Sequence, residues 1–478
     1  MSELTLRLAD GTLIVLPASL DVITTYVLLE QEAWFEKEAG FVPRLLKRGM
    51  TAIDIGANAG VYSLPLARRV GPEGAVYAYE PASAPRRLLE QSRALNGVSN
   101  LHIVAAALSD RPRQGHLGFG FSSELHSLGR AGDGEAVAIT SLDEEDRIRN
   151  WGSPDFVKLD AEGEEARILE GGQGFFTRHS PLVMFETKAG ETINETIVAS
   201  FRALGYRIFR LIPGAPLLVP AGPADSIDPY EFNLFAAKPD RVAALLRDHW
   251  LVAEAADWSP DDGARARAMD LLAAQIFSPV LAGLRAPPMG SSYRDALAGY
   301  ALWRSPEAQP SLRYGALRFS YNVLRDLCEA EPGPARLSTL ARVAWELGER
   351  KIGVVALGKA LALGEDGGEL TEPFWPASPR FDSIAPGNKA GQWFVVSLLE
   401  QLERTSAHSS FYVTDGLNLD WLRSQPFVCA EMLRRHMLKQ LRAGNRLAVP
   451  ERLRIGAEDH INADLWRSGA IPNTLRTE

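Results

Sequence analysis

The stretch Met50-Thr51-Ala52-Ile53-Asp54-Ile55-Gly56-Ala57-Asn58-Ala59-Gly60-Val61-Tyr62-Ser63 decides the fold. Its apolar and β-branched residues up to Ile55 suit a strand. Gly56 and Gly60 then permit a turn in which the backbone comes close to a ligand before a helix begins. A dinucleotide-binding turn carries a glycine where Asn58 stands, so a pyrophosphate-binding reading loses its middle residue. The expectation is a strand, turn and helix whose crevice holds something other than NAD.

Working outward, short apolar runs recur at 75–79, 101–104, 156–159, 182–186, 207–212 and 232–236. Helical periods separate most of them, which predicts a parallel sheet covered on both faces. Only the Pro/Gly-rich link 213–228 joins the last two runs, too poor in helix formers for a crossover helix, so an antiparallel pair is expected there. Upstream, residues 1–20 alternate apolar and polar side chains around Asp10-Gly11, which reads as a hairpin and not as a secretory leader.

Beyond Pro239 the pattern changes to helical windows at 241–256, 264–284, 313–330 and 426–441, broken by Pro/Gly clusters. Within this half, 337–363 resembles a single tetratricopeptide repeat, with Leu347-Gly348 closing its first helix. The expected organisation is a hairpin and helical lead-in at 1–50, an α/β domain at 51–238 and a mostly α-helical domain at 239–478.

Composition narrows the function. The 478 residues carry 51 Lys and Arg against 60 Asp and Glu, a net charge of −9. A protein that holds nucleic acid by its phosphates is normally basic, so neither nucleic acid nor an anionic membrane surface is an expected partner. Cys328 and Cys429 stand far apart without ligand-spaced neighbours, which excludes a disulfide framework or zinc ribbon and makes a reducing cytoplasm the default location. No run approaches the ~20 apolar residues of a membrane helix.

The chemistry collects at strand ends. Glu80 closes the second run, 80 − 56 = 24 residues after Gly56. A carboxylate there can accept both ribose hydroxyls of an adenosine moiety, in NAD and in S-adenosylmethionine alike. An acidic Asp54 beside it tolerates the ammonium of S-adenosylmethionine and would repel a pyrophosphate; a helix cap is its competing role. The fourth run leads into Lys158-Leu159-Asp160-Ala161-Glu162-Gly163-Glu164-Glu165. Asp160 and Glu162 should face the same cleft, where a cationic ligand, a metal or Lys158 would relieve their repulsion. Glu164 fits a plain helix start.

These motifs occur in one order: DIGANAGVYS, YEP at Tyr79 to Pro81, ALSD at Ala107 to Asp110, SLD at Ser141 to Asp143, VKLDAEGEE with the later LEGG, and PLVMFE at Pro181 to Glu186. In that order they resemble the FkbM family of S-adenosylmethionine-dependent methyltransferases, over roughly 32–237. The resemblance implies a class I, Rossmann-like methyltransferase sheet and methylation of a hydroxyl, often on a sugar or polyketide. Carried over by position, Asp54, Gly56, Asn58, Gly60 and Glu80 would hold S-adenosylmethionine, while Lys158, Asp160, Glu162 and Glu165 form the acidic signature. The family has a small residue where Glu164 stands.

Methyl transfer to an alcohol needs in-line alignment and a base. Asp160 is the first choice for base or acceptor-orienting group, with Glu162 and Glu186 lining the pocket and Lys158 setting their ionisation. His126, in a polar loop, is the alternative base. No motif enforces a metal geometry, so no metal is expected. The leading expectation is O-methylation of a saccharide or glycoconjugate, with the helical half shaping the acceptor or docking a protein partner through aromatics such as Phe374-Trp375, Phe381, Trp393-Phe394 and Phe411-Tyr412. Those aromatics are equally a helical core. The rivals are an N-methyltransferase, a docking scaffold with a residual cofactor pocket, and an NAD-dependent oxidoreductase.

Overall fold

The computed structural model describes residues 2–118, 128–129, 134–189, 192–223, 227–281, 290–365, 370, 372–413 and 416–475. Eight strands form the main sheet. Across it they run Leu217–Pro220, Arg207–Ile212, Asn233–Ala237, Leu182–Glu186, Phe156–Leu159, Thr51–Ile55, Ala75–Tyr79 and Leu101–Val104. The last five are mutually parallel, and the first three attach to one another and to Leu182–Glu186 in antiparallel fashion. The fold is thus mixed α/β with a mostly parallel sheet followed by helices.

Side-chain alternation gives each strand two buried faces. Ile53, Ile55, Val157, Leu159, Val183 and Phe185 pack on one side with Ile168, Phe175, Phe176, Ile197 and Phe201. Ala52, Ala78, Phe156 and Met184 face the other way, toward Leu64, Leu66 and Leu89. The residues that interrupt this apolar pattern, Asp54 and Lys158, lie side by side in parallel register on the second face.

The expected antiparallel end pair is present, and the link between its strands holds more than a loop. Leu217–Pro220 pairs with Arg207–Ile212, because the apolar run Leu217-Leu218-Val219 follows a short turn at Gly214. Leu251 then bridges to Leu218. The helix expected at 241–256 therefore ends at Arg247; His249 takes φ +60°, and Leu251 and Val252 bury against the sheet edge. Likewise 264–284 divides into Asp262–Ala273 and Ser278–Leu281, and the helix expected from 426 begins at Ala430. A separate four-stranded sheet, Ala106–Leu108, Glu135–Thr140, Arg113–Leu117 and Leu128–Gly129, was not legible in the sequence.

The amino-terminal segment ties the two halves together. Its hairpin, Glu3–Arg7 with Leu13–Pro17, turns at Gly11 (φ +85°) and is pinned to the helix Ser83–Asn96 by Ser92, whose Oγ accepts the Val15 N–H at 2.9 Å. The helix Ile23–Gln31 that follows packs on Ala430–Arg442. There Arg434 lies 3.3 Å from Glu32, and Arg435 lies 3.4 Å from Glu30 and 3.0 Å from Glu431. Burial alone would raise the Glu32 pKa, but His460 and Arg434 hold it down at about 2. In the helical half, Pro334–Leu347 and Arg350–Glu365 form a hairpin closed by Gly348 at φ +86°. Phe374, Trp375, Phe381 and Trp393 are at most 1% exposed, so they are core and offer no face to a sugar.

Arg435→Ala should strip the buried Glu30 carboxylate of its ion pair and leave Glu431 to Arg404, at a cost of roughly 3 kcal/mol or more. A thermal unfolding midpoint several degrees below that of the unmodified protein is the expected reading.

Candidate active site

Thr51–Ile55 has the second strand, Ala75–Tyr79, on one side and Phe156–Leu159 on the other, so the strand order reverses beside it. Open α/β sheets hold ligands at that place, outside the carboxyl ends of the strands. A cavity of about 330 Å³ lies there, lined by Asp54, Gly56, Asn58, Glu80, Lys158, Asp160, Glu162 and Glu186 among others. Eight of the side chains and turns singled out in the sequence thus meet in one space. Gly60 is not in its wall: at φ +95°, a Cβ there would sit 2.3 Å from Leu89 Cδ1, so this glycine allows the turn to pack on the helix beneath. His126 lies outside the described residues.

At one end of the cavity the backbone fixes Glu80. One carboxylate oxygen accepts the Asn58 N–H and the other the Ala82 N–H, each at 2.8 Å. Asn58 adopts φ +46° to present its N–H. Each oxygen keeps lone pairs for a further donor, as a ribose diol would need. Burial pushes the Glu80 carboxyl up to about 7 against the pull of those two N–H groups. Gly56 is required by contact: at φ +80°, a Cβ there would fall 1.9 Å from the Asp160 carbonyl oxygen.

The middle of the cavity holds an ionic group of mixed sign. Lys158 Nζ is 2.8 Å from Asp160 Oδ2, 3.8 Å from Asp54 Oδ1 and 5.2 Å from the centre of the Tyr62 ring. Its burial would lower its pKa, yet Asp160 and Asp54 hold it above the ordinary lysine value. Asp54 is fully buried; Ser63 Oγ donates to its Oδ2 at 2.5 Å, while Oδ1 has no hydrogen-bond partner. Burial raises the Asp54 pKa in spite of Lys158 and Ser63.

Glu165 serves the loop. Its Oε1 accepts the N–H groups of Ala161 and Gly163 at 2.8 and 3.2 Å, which fixes the turn where Glu162 takes φ +50°. Glu164 precedes the helix Glu165–Glu170 without capping it, accepts Ser109 Oγ at 2.8 Å, and lines the cavity. Carboxylate oxygens of Asp160, Glu165 and Glu186 lie within 4.8 Å of one another, close enough to share a cation. Burial and then the charges of Asp160, Glu162 and Glu165 raise the Glu186 pKa.

Of the other wall, the sequence had singled out only Tyr412. Trp34, Phe35 and Glu36 come from the lead-in, Phe232 and Asn233 from the last strand and the residue before it, and Tyr412 from the helical half. Tyr62 donates a short hydrogen bond to Glu36, whose pKa is raised first by burial and then by Asp160. None of these residues belongs to a spaced motif. The one available signal was a polar Asn at the head of an apolar strand.

An open sheet with its crevice at the switch point and a backbone-held carboxylate on the second strand has the architecture of an α/β enzyme that binds a nucleoside-bearing cofactor. The family model of the methyltransferase FkbM domain matches residues 54–208. Among solved structures it is similar to the FkbM methyltransferase of Methylobacillus flagellatus KT (16% identity, 40% of this chain and 45% of that one, TM-score 0.29). It is also similar to a SAM-dependent O-methyltransferase of Thermotoga maritima (17% identity, 49% and 77%, TM-score 0.26). A third similar structure is the precorrin-6y C5,15-methyltransferase of Geobacter metallireducens GS-15 (13% identity, 42% and 88%, TM-score 0.25). The chain therefore spans less than half of the Methylobacillus protein. No curated protein matches it. Among the described residues no helix is long and apolar enough to cross a membrane.

Gly56→Ala should abolish binding of the methyl donor, because neither φ nor space at that turn admits a side chain; calorimetry with S-adenosylmethionine reads the loss. If ionised Glu80 is the ribose acceptor, the apparent Kd should rise as pH falls through about 7, approaching tenfold per unit below it. Glu80→Gln should flatten that profile.

Proposed function

We propose that this chain is an S-adenosylmethionine-dependent O-methyltransferase acting on a hydroxyl of a saccharide or glycoconjugate. The observation that carries the reading is the convergence of Glu80, Asp54 and Asp160 on one crevice that also has an aromatic wall. The residues present suit the cofactor: Glu80 is fixed to accept a diol, Gly56 leaves room at the turn, and the buried Asp54 Oδ1, 3.8 Å from Lys158 and without a hydrogen bond, can accept a cationic group. Bound there, S-adenosylmethionine supplies an activated methyl group on sulfur.

The chain's own part is alignment and proton removal. Glu80 holds the nucleoside, and Asp54 faces the amino-acid end. Asp160 stands across the crevice, held at 2.8 Å by the Lys158 ammonium, and takes the proton of the acceptor hydroxyl as its oxygen bonds to the methyl carbon. Lys158 keeps Asp160 oriented and offsets its charge. Glu162 and Glu186 line the space left for the acceptor, and the aromatic wall excludes water.

The helical half supports an acceptor-shaping role by one contact: Tyr412, 56% exposed, reaches the cavity rim. The aromatic surround of Trp34, Phe35 and Phe232 suits the apolar face of a sugar ring, with Trp34 to Phe35 ring centres 4.7 Å apart and Phe35 to Phe232 6.0 Å. The test is incubation of the protein with labelled S-adenosylmethionine and cell-envelope extracts, followed by identification of the labelled product. Label on a carbohydrate oxygen is expected; label on nitrogen, or none with intact cofactor binding, overturns the reading.

Asp54→Ala and Glu80→Ala should each weaken cofactor binding at least tenfold. Asp160→Ala should bind the cofactor normally and lose turnover by roughly a hundredfold or more, the usual worth of a positioned base. Full turnover in Asp160→Ala would remove it from the proton-accepting role.

A further inference from the structure

Asn233 brings to the site a buried donor that makes no hydrogen bond within the protein. It is 3% exposed and lines the cavity, and its amide Nδ2 makes no hydrogen bond. A buried donor without a partner destabilises the fold, so a native structure that keeps one needs a reason. Across the antiparallel ladder its paired residue is Glu186, which lines the same cavity. Directly paired residues project to the same face with Cβ atoms ~5 Å apart. The last strand and the strand beside it therefore present one N–H donor and one carboxyl acceptor side by side.

That spacing matches two hydroxyls on adjacent carbons, one accepting from the amide and one donating to the carboxyl. The unpaired Nδ2 calls for an acceptor oxygen, which a ligand hydroxyl supplies beside the carboxyl of Glu186. The aromatic wall adds the second half of the shape: Phe232 is the residue next to Asn233, and Phe35 and Trp34 continue from it. We propose that Asn233 and Glu186 clamp a vicinal diol of a ring-shaped polyol acceptor, so that Asn233 is a positioning residue that selects which hydroxyl meets Asp160. The proposal rests on the O-methyltransferase reading above and narrows its substrate class.

The experiment uses the full chain, labelled S-adenosylmethionine and a panel of neutral methyl glycosides with their monodeoxy analogues. Methyl transfer is expected only to glycosides with two adjacent hydroxyls, and deleting the hydroxyl that is not methylated should raise KM about tenfold or more. Asn233→Asp, which keeps the shape and removes the donor, should raise KM for the intact glycoside by a similar factor. It should also show little further loss on the deoxy analogue, with cofactor affinity unchanged as proof of folding. An additive second loss, or an unchanged KM, overturns the clamp while leaving the methyltransferase reading intact. Absence of transfer to every glycoside by a wild-type protein that binds S-adenosylmethionine overturns the saccharide reading and the clamp with it. Glu186→Ala, which removes the acceptor, provides the second variant: a raised KM with the same non-additivity supports the pair, and an unchanged KM overturns it.

Discussion

A single buried ammonium holds the crevice together. Lys158 stands at the sheet's switch point with Asp160 at 2.8 Å and Asp54 at 3.8 Å. Without it, the fully enclosed Asp54 would be a buried charge with no cation beside it, close to the half-buried Asp160. The parallel register that sets Lys158 beside Asp54 is a backbone fact, so the charge pairing is as rigid as the sheet. One cation still leaves the site short of positive charge, because Glu36 and Glu186 belong to the same wall. That deficit favours a cationic ligand over a phosphorylated one.

The second constraint is mechanical. The helix Ile23–Gln31 and the residue after it, Glu32, lie between the sheet and the helical half, and their buried carboxylates engage Arg434 and Arg435. Glu32 also accepts the N–H groups of Ile461 and Asn462, at 3.0 and 2.9 Å. Asn462 in turn accepts the Arg7 N–H at 2.9 Å, so the first strand, the lead-in and the last helices share one network. The same lead-in supplies Trp34, Phe35 and Glu36 to the cavity. A partial enclosure of the acceptor end thus depends on contacts made more than 400 residues apart in the chain.

The parallel core was legible because strand runs and glycine turns are local signals: five apolar residues and a positive-φ turn need no partner to be recognised. The same holds for Glu80 and Asp160, each one step past a strand, and for Lys158, the polar interruption of an apolar one. The edges were harder. The strand Leu217–Pro220 is four residues long, and residues 248–256 leave a helical pattern because Leu251 finds the sheet edge. Helical periodicity reports an amphipathic face and not what that face will meet. The aromatics of the helical half looked equally suited to ligand and to core; burial placed Phe374, Trp375 and Trp393 in the core and left Tyr412 at the rim.

The sequence by itself determined the α/β class, the crevice and the carboxylates at its strand ends, since these follow from residue types at fixed local offsets. Only the tertiary structure decided the other wall of the cavity. Asn233 beside Glu186, the Trp34–Phe35–Phe232 wall and Tyr412 are assembled by cross-strand register and by packing between distant segments. Those relations depend on which surfaces exclude water together, and no short window of sequence records them.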